Sequence, residues 1–159
     1  MKHLPKHLRP RWRYLAIGIE TWPDADPDRR AFQRALWYAA GNLIGDAGSA
    51  DADLTLLSFD HADGRGEAVV RVRHGHVDDA RAAITCISEV DDAAVGIVVR
   101  GISGTVRACE ERYMGRAGAT STQRDVAFEN AERSAVVRED ACDVRTESGY
   151  VGAATFDIE

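Results

Sequence analysis

The sequence predicts an α+β domain: a four-stranded antiparallel sheet with helices on one face, followed by a C-terminal helix and an acidic tail. Three observations predict it. Apolar residues alternate with a period of two around Leu15, Val70 and Ile97, and they repeat at helical spacing from Phe32 to Leu43 and from Val77 to Ile87. The order of these patterns is strand, helix, strand, strand, helix, strand, helix. A hairpin between two crossover helices places the first and third strands at the centre of the sheet, which is the ferredoxin-like βαββαβ split sandwich.

Residues 1–10 contain Pro5 and Pro10 and no periodic pattern, so an extended basic arm is expected. Arg11 to Glu20 then alternates, with Leu15, Ile17 and Ile19 on one face and Tyr14, Ala16, Gly18 and Glu20 on the other. Trp22 to Pro27 reads as a turn into a helix, with Asp26 placed to cap it, Pro27 at its first position and Asp28 in its first turn. Phe32, Ala35, Leu36, Ala39, Ala40 and Leu43 form the apolar stripe, and Gly45 is placed to end the helix. Trp37 and Tyr38 flank the stripe, either as a core edge or as a surface that a partner protein covers.

A small-residue loop is expected from Asp46 to Asp51, then strands at Asp53 to Asp60 and Glu67 to Arg73 joined by a turn from His61 to Gly66. In the second of these strands Ala68, Val70 and Val72 face one way, while Val69, Arg71 and Arg73 face the other. Val77, Ala80, Ile84 and Ile87 mark the second crossover helix. The last strand, carrying Val95, Ile97 and Val99, runs into Ser103-Gly104-Thr105, where Ser103 is placed to cap a helix reaching Gly115. Leu15, Ile17, Ile19, Val70 and Val72 should therefore face the helices. Tyr14, Arg71 and Arg73 should decorate the opposite face, with Arg100 a further candidate.

Beyond Gly115 the pattern weakens. Residues 116–122 read as a Gly/Ser/Thr-rich linker, 123–138 has weak helical spacing at Ala127, Ala131 and Ala135, and 143–159 is acidic. The organisation expected is an arm over 1–10, a domain over 11–115, and an extension over 116–159 that is partly helical or disordered.

Composition narrows the class. At 159 residues and 45% hydrophobic content the chain is one domain plus an appendage, with enough apolar surface for a core. There is no apolar run of about 18 residues, so no membrane span is expected. The short stretch Leu15 to Ile19 does not suit a signal peptide, and a cytoplasmic location follows. Cys86, Cys109 and Cys142 are far apart and lack a CxxC pair, which points to reduced thiols rather than disulfides or zinc.

Charge is the unusual feature. Only Lys2 and Lys6 are lysines, the other basic residues are arginines, and the net charge is −6. A lysine-poor, aspartate-rich composition resembles that of extremely halophilic organisms; a GC-rich genome alone also replaces Lys by Arg, but the acidic excess favours the halophile. Residues 1–14 carry five basic and no acidic side chains, 15–115 carry ten against seventeen, and 116–159 carry five against nine. A basic arm thus precedes an acidic body, as in a nucleic-acid-binding tail.

No intrinsic catalytic centre is expected. The chain has no G-x-S-x-G, Walker loop, dinucleotide fingerprint or H-E-x-x-H. Glu110-Glu111 and Asp91-Asp92 are adjacent acids that cannot converge on one substrate, and the pair His74 and His76 lacks a nearby third metal ligand. RNA binding fits better, although the strand aromatics of an RRM are missing. Arginine forks and the helix start at Ser103 to Thr105 suit contacts to the sugar-phosphate backbone.

Ser103-Gly104-Thr105-Val106-Arg107 after a valine-rich strand, Glu67 to Arg73 upstream, the opening Arg13-Tyr14-Leu15 and the helix Ala35 to Gly45 together resemble the archaeal ribonuclease P protein component 2 family, across Arg11 to Gly115. The resemblance implies an accessory subunit. In that enzyme the RNA subunit, with bound magnesium, removes the 5′ leader of precursor tRNA, and component 2 pairs with component 3 beside the catalytic RNA. It implies ribonuclease P RNA, precursor tRNA, component 3 and other ribonuclease P proteins as partners, with a homodimer contact in the particle. It also implies no cofactor or metal of the chain's own, magnesium entering with the RNA. The RNA-contact candidates are Arg11, Arg13, Tyr14, Arg71, Arg73, Ser103, Gly104, Thr105 and Arg107. The alternative from another class is an ACT-like domain that senses a small ligand, since the fold alone does not decide function.

Overall fold

The computed structural model describes residues 4–115, 122–138, 141–154 and 157–158. The chain divides into two compact units, Met1–Gly115 and Arg116–Glu159.

In the first unit the alternating segments become strands β1 (Trp12–Thr21), β2 (Thr55–Ala62), β3 (Arg65–Arg73), β4 (Glu89–Val90) and β5 (Ala93–Ser103). The helical repeats become α1 (Arg29–Ala52) and α2 (Val77–Thr85), and α3 (Val106–Tyr113) follows β5. Hydrogen-bonded neighbours run β2-β3-β1-β5-β4, all antiparallel. Leu15, Ile17, Ile19, Val70 and Val72 pack with Phe32 and Leu36 of α1 and Ala80 and Ile84 of α2, all nearly or fully buried. Each large side chain removed from water there contributes about 1.5–3 kcal/mol, so this layer sets the register of β1 against β3.

Local details differ from the sequence reading, each for an identifiable reason. The cap of α1 is Asp28, not Asp26: its extended backbone (φ −90°, ψ 166°) lets the carboxylate accept from Ala31 N–H at 2.7 Å. Gly45 (φ 76°) kinks α1 without ending it. Helix resumes over the expected loop because Ala52 is completely buried in the core, and it stops at Asp53 in the left-handed region. The sheet has a fifth strand, since Asp91 and Asp92 both take positive φ and fold Glu89–Val90 back onto Ala93 and Ala94. In the N-terminal arm, Lys6–Leu8 forms one turn of 3-10 helix, and residues 1–3 lie outside the described residues.

The third helix occupies the other face of the sheet. Cys109 is fully buried against Ala16 and Val69, with Tyr14, Leu57, Tyr113 and Met114 around them. Helices therefore cover both faces. Thr105, not Ser103, caps α3: its hydroxyl accepts from Ala108 N–H at 3.1 Å, the geometry of an N-cap three residues ahead of a free donor.

The second unit corrects the expected helix over 123–138. It is an antiparallel meander of β6 (Thr122–Phe128), β7 (Ala131–Arg138), β8 (Ala141–Thr146) and β9 (Gly149–Ala154), in that spatial order. Glu129 and Asn130 both adopt positive φ, which makes the turn from β6 to β7. Val126, Ala135, Cys142 and Val144 then share one buried face with Ile158. The period of two in Val126/Phe128, Ala135/Val137 and Cys142/Val144 outweighs the sparse alanine stripe, because alanines three or four apart bury little surface. Of the linker expected over 116–122, residues 116–121 lie outside the described residues and Thr122 is the first residue of β6.

Candidate nucleic-acid interface

Strand register gathers the nine candidate residues at one end of the first sheet. Trp12 lies opposite Arg73, Arg13 opposite Val72 and Tyr14 opposite Arg71, while Tyr14 on its other side faces Ser103. His74 N–H donates to Arg11 O at 2.8 Å, placing Arg11 beside the end of β3. Gly104, Thr105 and Arg107 continue from Ser103 into α3. Residues almost a hundred positions apart in the chain thus share one edge.

Within that edge, two arginines are held by an aromatic ring. The guanidinium carbon of Arg71 lies 4.0 Å from the Trp12 ring centroid and that of Arg73 lies 5.1 Å from it. Among the described residues neither has a carboxylate partner. Four other arginines of this unit do: Arg34 with Asp91, Arg65 with Glu20, Arg100 with Glu67 and Arg107 with Glu111. Among the described residues Arg11, Arg30 and Arg81, all exposed, also lack a carboxylate partner, as do Arg13, which donates to Trp12 O, and Arg29, which donates to Leu56 O and Leu57 O. Among the described residues, sharing one aromatic ring is particular to Arg71 and Arg73.

Arg13 extends to the β5–α3 corner. Its Nη1 donates to Trp12 O at 3.3 Å, and a Cβ built on Gly104 would sit 3.6 Å from the same nitrogen. Gly104 and Thr105 are exposed there, whereas Ser103 is buried and its hydroxyl has no hydrogen-bond partner. Arg107 is exposed and paired with Glu111 at 2.8 Å across one helical turn, a contact worth only a few tenths of a kcal/mol that an external anion can displace. Tyr14 is half-buried beneath α3, and its carbonyl accepts from Cys109 Sγ at 3.8 Å.

Arg100 is committed elsewhere. It is the extra residue of a bulge between β1 and β5, and it lies across Gly18, where a Cβ would come within 2.8 Å of its Nε. Its Nη1 donates to Glu67 Oε1 at 2.5 Å, and the other Glu67 oxygen accepts from Gly115 N–H at 3.0 Å. Glu67 thus ties the end of α3 to the sheet through two donors.

Of the three free cysteines Cys86 is exposed and the other two are buried. Burial pushes the Cys109 and Cys142 thiols up from their ordinary pKa, with Glu110 and Asp143 respectively adding to it. His76 Nδ1 lies 3.4 Å from Asp79, and among the described residues no group of three or more His, Cys, Asp or Glu is placed to hold a metal. Among the described residues no helix is long and apolar enough to cross a membrane. Trp37 donates from its indole to Leu54 O at 2.9 Å, which anchors it at the core edge. Tyr38, 75% exposed, lines a groove with Leu43, Ile87 and Val90.

Sequence reasoning missed Trp12. Its signal was present in the alternation of β1, which puts Trp12 and Tyr14 on one face, but the arginines beneath it become visible only once β3 is paired in register.

The Rpp14/Pop5 family model matches residues 13–114. Ribonuclease P protein component 2 of Halorubrum lacusprofundi is 82% identical over 159 residues, covering 100% of both chains, and that of Haloarcula marismortui is 60% identical over 160 residues, covering 99% of both. Among solved structures, a chain of yeast ribonuclease MRP superposes with a TM-score of 0.46 at 21% identity, over 60% of this chain and 75% of that one. The haloarchaeal matches agree with the lysine-poor, acidic composition, and the family match decides against the ACT-like reading. Matched through nearly the whole first unit and, to its haloarchaeal relatives, almost from end to end, the chain belongs to the Rpp14/Pop5 family of ribonuclease P protein subunits.

Proposed function

We propose that the chain grips the catalytic RNA of ribonuclease P with the arginine-bearing end of its first sheet, and so supports RNA-catalysed removal of the 5′ leader from precursor tRNA. The observation that carries this is the Arg71/Arg73 pair. In a region with ten basic and seventeen acidic residues, carboxylates are abundant, yet these two guanidiniums share one aromatic ring and among the described residues pair with none. Two adjacent like charges repel each other, and an anion shared between them relieves the repulsion. Phosphate oxygens of an RNA backbone supply that anion, and Arg11, Arg13, Gly104, Thr105 and Arg107 extend the contact along the same edge.

Bond cleavage in this reading belongs to the RNA and its magnesium, and the chain contributes binding and orientation without catalytic residues or a cofactor of its own. Component 3 and the other ribonuclease P proteins, precursor tRNA and a second copy of the chain are the partners proposed, in the cytoplasm. The strand order β2-β3-β1-β5 with α1 and α2 as crossovers supports reading the first unit as the split ferredoxin-like arrangement.

The test is reconstitution at molar KCl of the cognate RNA with its full protein set. Leader cleavage should fall when this chain is omitted, and Arg71→Gln with Arg73→Gln should raise the magnesium requirement while the thermal midpoint of the protein stays unchanged. Equal cleavage without the chain, or an identical magnesium titration for the double variant, would refute the proposal.

A further inference from the structure

We infer that Trp12 is a positioning residue, taking the place of a carboxylate in fixing Arg71 and Arg73, so that the pair is pre-organised for phosphate without being neutralised. The inference rests on the RNA-grip reading above. Trp12 sits opposite Arg73 in the β1–β3 ladder and two pairs along from Arg71, and the guanidiniums of Arg71 and Arg73 lie over its ring at 4.0 and 5.1 Å from the centroid. It belongs to neither buried cluster of the first unit, so the core does not account for it. The family model starts at residue 13, immediately after it.

Arg100 shows what the other solution does to an arginine. Glu67 occupies its fork and leaves it tied to the sheet and to the end of α3. A ring instead engages the flat face of a guanidinium without taking up its in-plane N–H donors; Arg71 Nε is itself buried without a partner, so the outer nitrogens of Arg71 and the exposed Arg73 are the ones left for phosphate contacts. The side-chain freedom that an arginine loses on binding RNA is then already spent in the free protein.

Salt favours this device. At molar ionic strength the Debye length is about 3 Å, so attraction at a distance is lost and the repulsion between the two guanidiniums is damped as well. Face-to-ring contact at van der Waals range survives such screening. Trp12 therefore matters more as salt rises, the reverse of a surface ion pair.

The experiment uses the reconstituted holoenzyme with Trp12→Ala, Trp12→Phe, the Arg71→Gln/Arg73→Gln pair, and all three changes with Trp12→Ala, titrating magnesium at low and at molar KCl. Trp12→Ala should raise the magnesium midpoint roughly threefold to fivefold, the scale of losing a cation–π contact or two. The rise should be larger at molar KCl, and Trp12→Phe should recover most of it. Adding Trp12→Ala to the arginine pair should change nothing further. If the arginine pair shifts the titration and Trp12→Ala does not, or if the two effects add, the positioning role is overturned and the RNA grip stands. If the arginine pair itself leaves the titration unmoved, the grip fails and the inference with it. Should Trp12→Ala also lower the thermal midpoint, rescue by Trp12→Phe and the absence of a further shift in the triple variant still decide.

Discussion

Replacing Gly101 by alanine should loosen α3 from the sheet while leaving the core under α1 and α2 intact. A Cβ at this position would fall 2.2 Å from Cζ of Tyr113 and 2.3 and 2.5 Å from its two Cε atoms, far inside contact distance. The ring cannot stay where it is. Tyr113 belongs to the small cluster of Ala16, Val69 and Cys109 that seats α3, so moving it uncovers apolar surface on both partners. Overpacking of this kind costs about 1–3 kcal/mol. Removing a glycine from a strand returns about 0.5–1 kcal/mol by restricting the unfolded chain, which leaves a net loss of roughly 1–2 kcal/mol. For a unit of this size that lowers Tm by roughly 5 °C or more. Urea unfolding in molar KCl should be measured for Gly101→Ala, Tyr113→Ala and the double variant. Tyr113→Ala removes the ring that alanine meets, so the double variant should be about as stable as Tyr113→Ala alone, with a coupling of at least about 1 kcal/mol. A wild-type midpoint for Gly101→Ala, or strictly additive losses, would refute the seating of α3 by Tyr113 over Gly101.

Two further outcomes follow from local geometry. Asp28→Ala should destabilise the first unit by about 1 kcal/mol through loss of the cap on Ala31 N–H, whereas Asp26→Ala should be near neutral in thermal melts; equal losses would return the cap to Asp26. His61 has its pKa lowered, chiefly by burial, with Asp26 and Asp60 opposing the shift. Its Nε2 faces Thr21 Oγ1 at 3.0 Å, that hydroxyl donates to Trp22 O, and Nδ1 is buried without a partner, so a second proton on the ring would have no acceptor. The unfolded chain then binds this proton more readily, and the stability it contributes is present above the unfolded pKa and lost as pH falls through about 6.5. His61→Gln should flatten the decline in stability between about pH 7.5 and about 5.5, and an unchanged slope would remove His61 as its cause.

The first unit was legible because its layers are written in large apolar residues at clean periods. Leu15/Ile17/Ile19 and Val70/Val72 read as strand faces, and they pack where that reading put them. What escaped were features that depend on backbone sign or on tertiary burial. The two aspartates at 91 and 92 make a hairpin only because both adopt positive φ, and the segment after Gly45 is helical only because Ala52 is buried from outside it. In the second unit, alanines at helical spacing masked short β-branched alternations, and a sheet of small strands leaves a weak signal in any one of them. That unit lies beyond the end of the family model at residue 114, yet the Halorubrum relative matches the chain over its full length. At the candidate interface the residue types were readable, and their convergence was not, since it needs the registers of β1 with both β3 and β5.

A net charge of −6 would ordinarily argue against an RNA-binding role, and the argument depends on salt. In dilute buffer the acidic body would repel a polyanion over about 10 Å or more, and the arm and arginine edge would have to overcome that field. At molar salt the field collapses to roughly contact distance, so net charge ceases to decide and only the groups touching the RNA count. Counterion release, which drives most nucleic-acid binding, is weak there too. The burden falls on geometry: arginines already immobilised, donors already oriented, and several contacts made together. Carboxylate-paired arginines such as Arg34 and Arg65 can then stabilise and solubilise the body, while in the proposed grip the Trp12 stack would keep Arg71 and Arg73 available, so one acidic chain could carry both properties without contradiction.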